Sequence, residues 1–306
     1  MTSLSDHIEN ALNEARMLLL GGQVLLGFSY RICFEKRFDQ LSWRDQLSQA
    51  IGLALMTAAL GWLIWPAAFH QIAQKGRESE AVHNFASRIL DWALLPFALG
   101  FGFTIYPVCV GLNVPHPVMA ASAVALFALA LWYAVPLYGF EGEKRECARE
   151  RRRRLEQKQP GGGDLSDRIK KVLIECRMAL PGAQAFLGFQ FAIVFADSFE
   201  KLPRSSQWIH FASLMATTIA IVLLIAPAAY HRIAEAGEDS EHFHSVASAF
   251  LLAALVFLAP GMSGDLFVVL RKTVGSLSVA GVLAGVLLLL FYGLWFGASA
   301  LRARTK

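Results

Sequence analysis

Apolar residues in this chain fall into eight long blocks divided by short polar segments. In the first half the blocks cover residues 17–34, 47–69, 85–110 and 117–140. In the second half they cover 178–195, 208–230, 243–269 and 274–300. Each is near the ~20 residues that carry a helix across a hydrocarbon core of ~30 Å. The pattern predicts an all-α, polytopic integral membrane protein with eight transmembrane helices. The stretch GLNVPHPV, with a glycine and two prolines, reads as a turn between the third and fourth spans. The first block of each half is short and is expected to continue as helix beyond its apolar part. Leu165, Ile169, Val172, Leu173 and Met178 recur at helical spacing, as do Leu4, Ile8, Leu12 and Met17. Both sets predict an amphipathic helix at the membrane interface, just before a span.

The two halves are copies. PAAFHQIAQKGRESEAVHNFAS (66–87) aligns without a gap to PAAYHRIAEAGEDSEHFHSVAS (227–248), 161 positions on. The same offset pairs Leu4, Ser5 and Asp6 with Leu165, Ser166 and Asp167. It also pairs Glu14, Arg16 and Met17 with Glu175, Arg177 and Met178, and Gln23, Gly27 and Phe28 with Gln184, Gly188 and Phe189. One register over such a length signals a duplicated unit. Four spans per copy is an even number, so both copies insert the same way up and the repeat is parallel. The expected organisation is a first four-helix repeat over 1–140, a basic linker over 141–163 and a second four-helix repeat over 164–306.

Charge orients this arrangement. The chain has 306 residues, 55% hydrophobic and 17% charged, with a mean hydropathy of +0.45. Most of its 28 Lys+Arg lie on the side that holds both termini, the linker and the loops after the second and sixth spans. Arg151, Arg152, Arg153 and Arg154 dominate that excess. Positive-inside bias then places both termini on the cytoplasmic side of the membrane. The opening MTSLSDHIENALNEARM has no basic n-region, so no cleavable signal is expected. The four arginines suit anionic lipid headgroups. The net charge of +4 is concentrated in the linker, and nucleic acid is not an expected partner. Cys33, Cys109, Cys147 and Cys176 show no metal-ligand spacing and read as free thiols. No metal or cofactor is expected.

Several polar residues repeat at one membrane face. Glu14/Glu175 precede the first span of each copy, His70/His231 end the second, and Glu80-x-x-His83 and Glu241-x-x-His244 open the third. An i,i+3 pair shares a helix face. Capping and interfacial packing is the plainest account of it, with Ser79–Glu80 as a helix start; proton or cation handling is second and a metal site last. Glu14 could pair with His70 of its own copy. Arg16 and Arg177 suit lipid phosphate. Gln23 and Gln184 lie inside apolar blocks and need partners, either as glue between helices or as a polar wall. Arg88 and Asp91 occur in the first copy only and read as a structural ion pair. Asp265, Arg271 and Lys272 are expected to be solvated at the outer face. Gly281/Gly285 and Gly293/Gly297 have the spacing of close helix contact. That contact is expected within the chain, with a homo-oligomer as the alternative.

The stretch ECRMALPGAQAFLGFQFAIVFADSFEKL, followed after one span by APAAYHRIAEAG, resembles a bacterial family of small integral membrane proteins, domain of unknown function 6328. The first copy, EARMLLLGGQVLLGFSYRICFEKRFDQL with WPAAFHQIAQKG, is similar but more divergent. The resemblance implies a tandem fusion of two family units. It singles out Glu175, Arg177, Gln184, Pro227, Tyr230, His231 and Arg232. The first copy departs from it at Phe69 and Gln71. The family brings no established activity.

The leading functional expectation is a non-enzymatic membrane protein that moves protons or small cations through carboxylate and imidazole groups at the cytoplasmic face. The alternative is a scaffold whose basic linker holds lipid or a partner. An enzyme ranks third, because no nucleophile–base motif stands out.

Overall fold

The computed structural model describes residues 19–74, 80–134, 165–233 and 240–304. Helix α1 covers 19–32 and α2 Trp43–Gln74; α3 is Glu80–Gly111. Helix α4 is Pro117–Leu129 and ends in a π turn, Ala130–Ala134. In the second copy α5 is Leu165–Val194, α6 Arg204–Ile233 and α7 Glu241–Val274. Helix α8 is Leu277–Arg304, with a π segment at Gly293–Ala298. Single turns, Phe38–Gln40 and Asp197–Glu200, follow α1 and α5.

All eight apolar blocks therefore contain helix. Six helices, α2, α3, α5, α6, α7 and α8, are long and apolar enough to cross a membrane, which makes this a multi-pass membrane protein. Helix α4 is a shorter apolar helix over Pro117–Tyr133. The interfacial helix expected before the fifth span does not stand apart. Leu165–Val194 is one continuous helix, and Ile169, Val172 and Cys176 are buried in the same core as Met178 and Ala183. Those apolar residues find helices to pack on, so they do not need a lipid surface.

Local chemistry fixes the helix ends. Ser240 caps α7, accepting from Phe243 N at 3.0 Å, and Glu241 stands in the first turn, where the helix dipole favours an acid. Gly275 ends α7 at φ +74°, a conformation suited to glycine. The turn before α4 puts Asn113 and His116 at positive φ, with Pro117 opening the helix.

The duplication recurs in hydrogen bonds. Gln46 Nε2 donates to Phe38 O at 3.2 Å and Leu41 O at 3.1 Å; 161 positions on, Gln207 Nε2 donates to Phe199 O at 3.4 Å and Leu202 O at 3.1 Å. These bonds tie the second helix of each copy to the turn before it. The crossing of second and third helices also recurs. A Cβ on Gly100 would lie 3.2 Å from Gly52 O, and one on Gly261 would lie 3.3 Å from Ser213 O.

The last helix breaks the likeness. Trp295 Nε1 donates to Gly61 O at 2.8 Å, and the Phe291 ring, stacked on Trp295 at 5.0 Å, covers Gly61 of α2. The contact face of α8 is Ala280, Ala284, Leu287, Phe291 and Trp295. Gly281, Gly285 and Gly293 meet nothing within 4 Å, and Gly297 meets only a backbone oxygen of its own helix, Tyr292 O at 4.0 Å. The glycine spacing thus does not mark the contact: the large side chains carry the burial, and the glycines turn away.

Candidate functional site

Two groups of buried polar side chains lie at opposite ends of the bundle. The first joins the end of α2, the first third of α5 and the start of α7. His70 Nδ1 is 2.6 Å from Glu175 Oε1, with both side chains at most 5% exposed. Gln71 Nε2 donates to the other oxygen, Oε2. Ser248 Oγ lies 2.8 Å from Gln71 Oε1 and 2.8 Å from His244 O. The carboxylate is thus held by two adjacent residues of the other copy, so the ring and the acid keep a fixed relation. A buried carboxylate is retained only with such partners.

Arg168 builds the rim of this site. Its Nη1 donates to Glu241 Oε1 at 2.7 Å and its Nη2 is 3.3 Å from His244 Nδ1. A guanidinium only donates, so Nδ1 of His244 accepts and the ring proton sits on Nε2. That Nε2 is buried with no partner among the described residues. The Glu241-x-x-His244 pair therefore converges on a cation of the protein itself.

The sequence candidates fall out as follows. His70, Glu175, Glu241 and His244 come together. His70 meets Glu175 of the other copy, because the end of α2 faces α5; the pairing expected with Glu14 involves a residue outside the described ones. Glu14 and Arg151–Arg154 lie outside the described residues, as do the side chains of Glu80, His83, His231 and Arg232. Gln23 is buried against Gly182, but Gln184 is exposed, so the two equivalent amides do not share a role. Arg88 and Asp91 are both exposed and form no ion pair among the described residues; the Asp91 carbonyl accepts from Tyr133. Arg177 is exposed. Pro227 is buried within α6, and Tyr230 Oη lies 3.2 Å from His242 Nε2.

The second group was not anticipated. Asp265, expected to be solvated, is 1% exposed. Its Oδ1 is 3.0 Å from His210 Nδ1, its Oδ2 accepts from Gln190 Nε2 at 2.5 Å, and its backbone carbonyl accepts from Tyr30 Oη at 2.6 Å. His210 Nε2 is 3.1 Å from Gln190 O. Helices α1, α5, α6 and α7 all contribute. Lys272 is likewise not simply solvated: it reaches Asp39 and the Cys33 carbonyl and lies over the Phe34 and Phe38 rings. Arg271 donates to the Gly275 carbonyl.

One signal for this group was present in the sequence. An aspartate lies inside the long apolar run of α7, and such a residue is a functional candidate in its own right. The reading as a solvated residue placed Asp265 with Arg271 and Lys272 at the outer end of the span, whereas it lies within α7, more than two turns before the helix end at Val274.

A family model described as Family of unknown function (DUF6328) matches the chain twice, over residues 4–136 and 165–299. No curated protein and no solved structure matches the chain.

Proposed function

The chain belongs to this family of unknown function, DUF6328, which it carries twice in tandem, and we propose that it is a non-enzymatic membrane protein that moves protons or small cations by way of His70 and Glu175. The observation that carries this reading is the 2.6 Å contact between a buried imidazole and a buried carboxylate, made between the two copies. Imidazole gains and loses a proton near physiological pH. Glu175 Oε1 stands within hydrogen-bond distance of the ring nitrogen, and Gln71 donates to the other oxygen and keeps the carboxylate turned toward the ring. A site shared by two copies is well placed to respond when they move against each other.

The proposed setting is eight spans in two parallel four-helix repeats in a bacterial inner membrane, with both termini and the His70 end in the cytoplasm. Two observations support the parallel arrangement. Tyr30 near the end of α1 and Gln190 near the end of α5 both reach Asp265, so the first helices of both copies end on the same side. Equivalent residues also touch, Phe28 with Phe189 at 4.5 Å and Lys36 with Asp197 at 2.6 Å, as they do beside an approximate two-fold axis.

The test is reconstitution into liposomes with a trapped pH-sensitive dye. An imposed gradient should drive proton movement through the intact protein. His70→Ala combined with Glu175→Gln should lower it about a hundredfold or more, the scale for losing a positioned proton-transfer group. Flux unchanged in that variant defeats the reading. No flux for any common cation would favour a scaffold with a lipid-binding linker, and deletion of Arg151–Arg154 should then weaken binding to anionic vesicles.

A further inference from the structure

We propose that His210 and Asp265, framed by Gln190 and Tyr30, form a second proton-binding site, holding one exchangeable proton between His210 Nδ1 and Asp265 Oδ1. This assignment rests on its own geometry and does not require the flux proposed above.

The argument starts from the ring. A backbone carbonyl can only accept, so the 3.1 Å contact of His210 Nε2 with Gln190 O requires a proton on Nε2. In a neutral ring Nδ1 then carries a lone pair. That lone pair faces Asp265 Oδ1 at 3.0 Å, which in an ionised carboxylate is another lone pair. Two acceptors do not attract at this distance, so a further proton belongs between them. It sits on Nδ1, giving imidazolium and carboxylate, or on Oδ1, giving imidazole and carboxylic acid. Both forms are net neutral, as burial at 0% and 1% side-chain exposure demands. Uptake of one proton from the aqueous face fills the gap, and its release leaves a buried net negative charge. No other bond is made or broken.

The first copy provides a natural control. The residue equivalent to His210 is Gln49, and Gln49 Nε2 donates to Ser29 O at 2.8 Å, the carbonyl equivalent to Gln190 O. An amide alone therefore ties the second helix to the first. The residue equivalent to Asp265 is Thr104, whose hydroxyl bonds within its own helix, to Gly100 O at 3.0 Å. Scaffolding needs neither an imidazole nor an acid here. The second copy has added a pair that titrates.

The surroundings suit exchange. Ser206 lies one turn before His210, toward the start of α6, and its hydroxyl is buried with no partner among the described residues. His210 is six residues from that helix start, about 9 Å at 1.5 Å per residue. The other titratable groups around the pair, among the described residues, are Tyr30 from α1, Cys33 just beyond it and Lys272 from α7. Tyr30 is bonded to the Asp265 carbonyl, and Lys272 to Asp39 and the Cys33 carbonyl. The Phe199 ring packs edge-on against His210 at 5.1 Å.

The experiment is nitrogen-15 NMR of the full chain, labelled at histidine and held in lipid nanodiscs, over pH about 4 to 9, the range in which histidine exchanges protons. His210→Gln assigns the signals by their loss. The expected result is a doubly protonated His210 ring at low pH that loses one proton within the range. Asp265→Thr should displace that transition by about one pH unit or more, because the carboxylate that favours a charged ring is gone. Asp265→Asn keeps the shape without the charge and should give the same displacement if the threonine variant does not fold. The combined His210→Gln, Asp265→Thr protein restores the first-copy residues and should fold. A His210 Nδ1 signal that does not change anywhere in the range, whether by loss of its own proton or of the one donated from Asp265, overturns the proposal. So does a transition that neither Asp265 variant moves.

Discussion

Equivalent positions in the two copies have drifted apart in three different ways. At 49 and 210 the hydrogen bond is kept and the chemistry is changed: an amide in one copy, an imidazole beside a buried acid in the other. At 23 and 184 the residue is kept and the surroundings are changed. Gln23 is buried against Gly182, whereas Gln184 is exposed, and Gly21, the counterpart of Gly182, meets nothing within 4 Å. At 61 and 222 the neighbour itself is missing. Helix α8 covers Gly61, while Val222 is 61% exposed. Bonds to backbone carbonyls survive duplication because they fix how helices meet. Side-chain chemistry is released once that geometry is secured.

The largest break in this comparison should come from Asp265→Leu. It strands His210 and the Gln190 amide without their shared acceptor. Breaking a buried charged pair in this way costs about 3 kcal/mol or more. The matching change in the first copy, Thr104→Val, removes a hydroxyl that bonds only within its own helix and should cost under about 1 kcal/mol. Unfolding of both variants in mixed detergent measures the difference. Equal losses would mean that the pair contributes no more than the threonine.

Next in size is Gly61→Ala. Its Cβ would collide with the Phe291 ring and push it off Trp295. Overpacking of this kind costs about 1–3 kcal/mol. Val222→Ala, at the equivalent exposed position, should stay within about 0.5 kcal/mol. Trp295→Phe sharpens the point: it keeps a ring but loses the bond to Gly61 O, at about 1 kcal/mol. Thermal midpoints of the three proteins in one detergent decide whether the last helix, which also bonds to α7 through Tyr292 Oη and Val256 O, draws stability from its contact with Gly61.

These contrasts show how far the sequence could be read. Long apolar blocks located the eight long helices among the described residues, since length and composition suffice for that. The fixed offset exposed the duplication because turns, caps and backbone-directed amides resist change. Which face of a helix finds a neighbour is a different matter. Gln23 and Gln184 look identical in sequence, and Gly281 and Gly285 have contact spacing without contact. Only the positions of other helices settle such cases. Asp265 was missed for a further reason: it was grouped with Arg271 and Lys272 at the outer end of its span, and only the placement of α1, α5 and α6 around it shows that it is buried. Arg168, which unites Glu241 with His244, is one arginine among many near the linker, and its reach could not be seen before α5 was placed beside α7.

The smallest effect concerns the clasp between Asp39, Lys272 and Ser198. Burial alone would raise the Asp39 carboxyl, but the Lys272 ammonium and the Ser198 hydroxyl outweigh it and hold the group below its ordinary range. A carboxylate with a lowered pKa adds stability above its unfolded value, and that stability is lost as pH falls through the folded one. Asp39 is still 36% exposed, so solvent screening keeps the contribution below about 1 kcal/mol. Asp39→Asn should therefore unfold slightly more easily than the unaltered protein at neutral pH. The gap should close as pH drops below ~4, the usual aspartate value. The first copy has no such cation at the end of its third helix, where Gly111 stands in place of Lys272. Changes there should leave the acid limb of the stability curve unmoved. A gap that persisted in acid would mean that Asp39 acts through hydrogen bonding to Ser198 rather than through its charge.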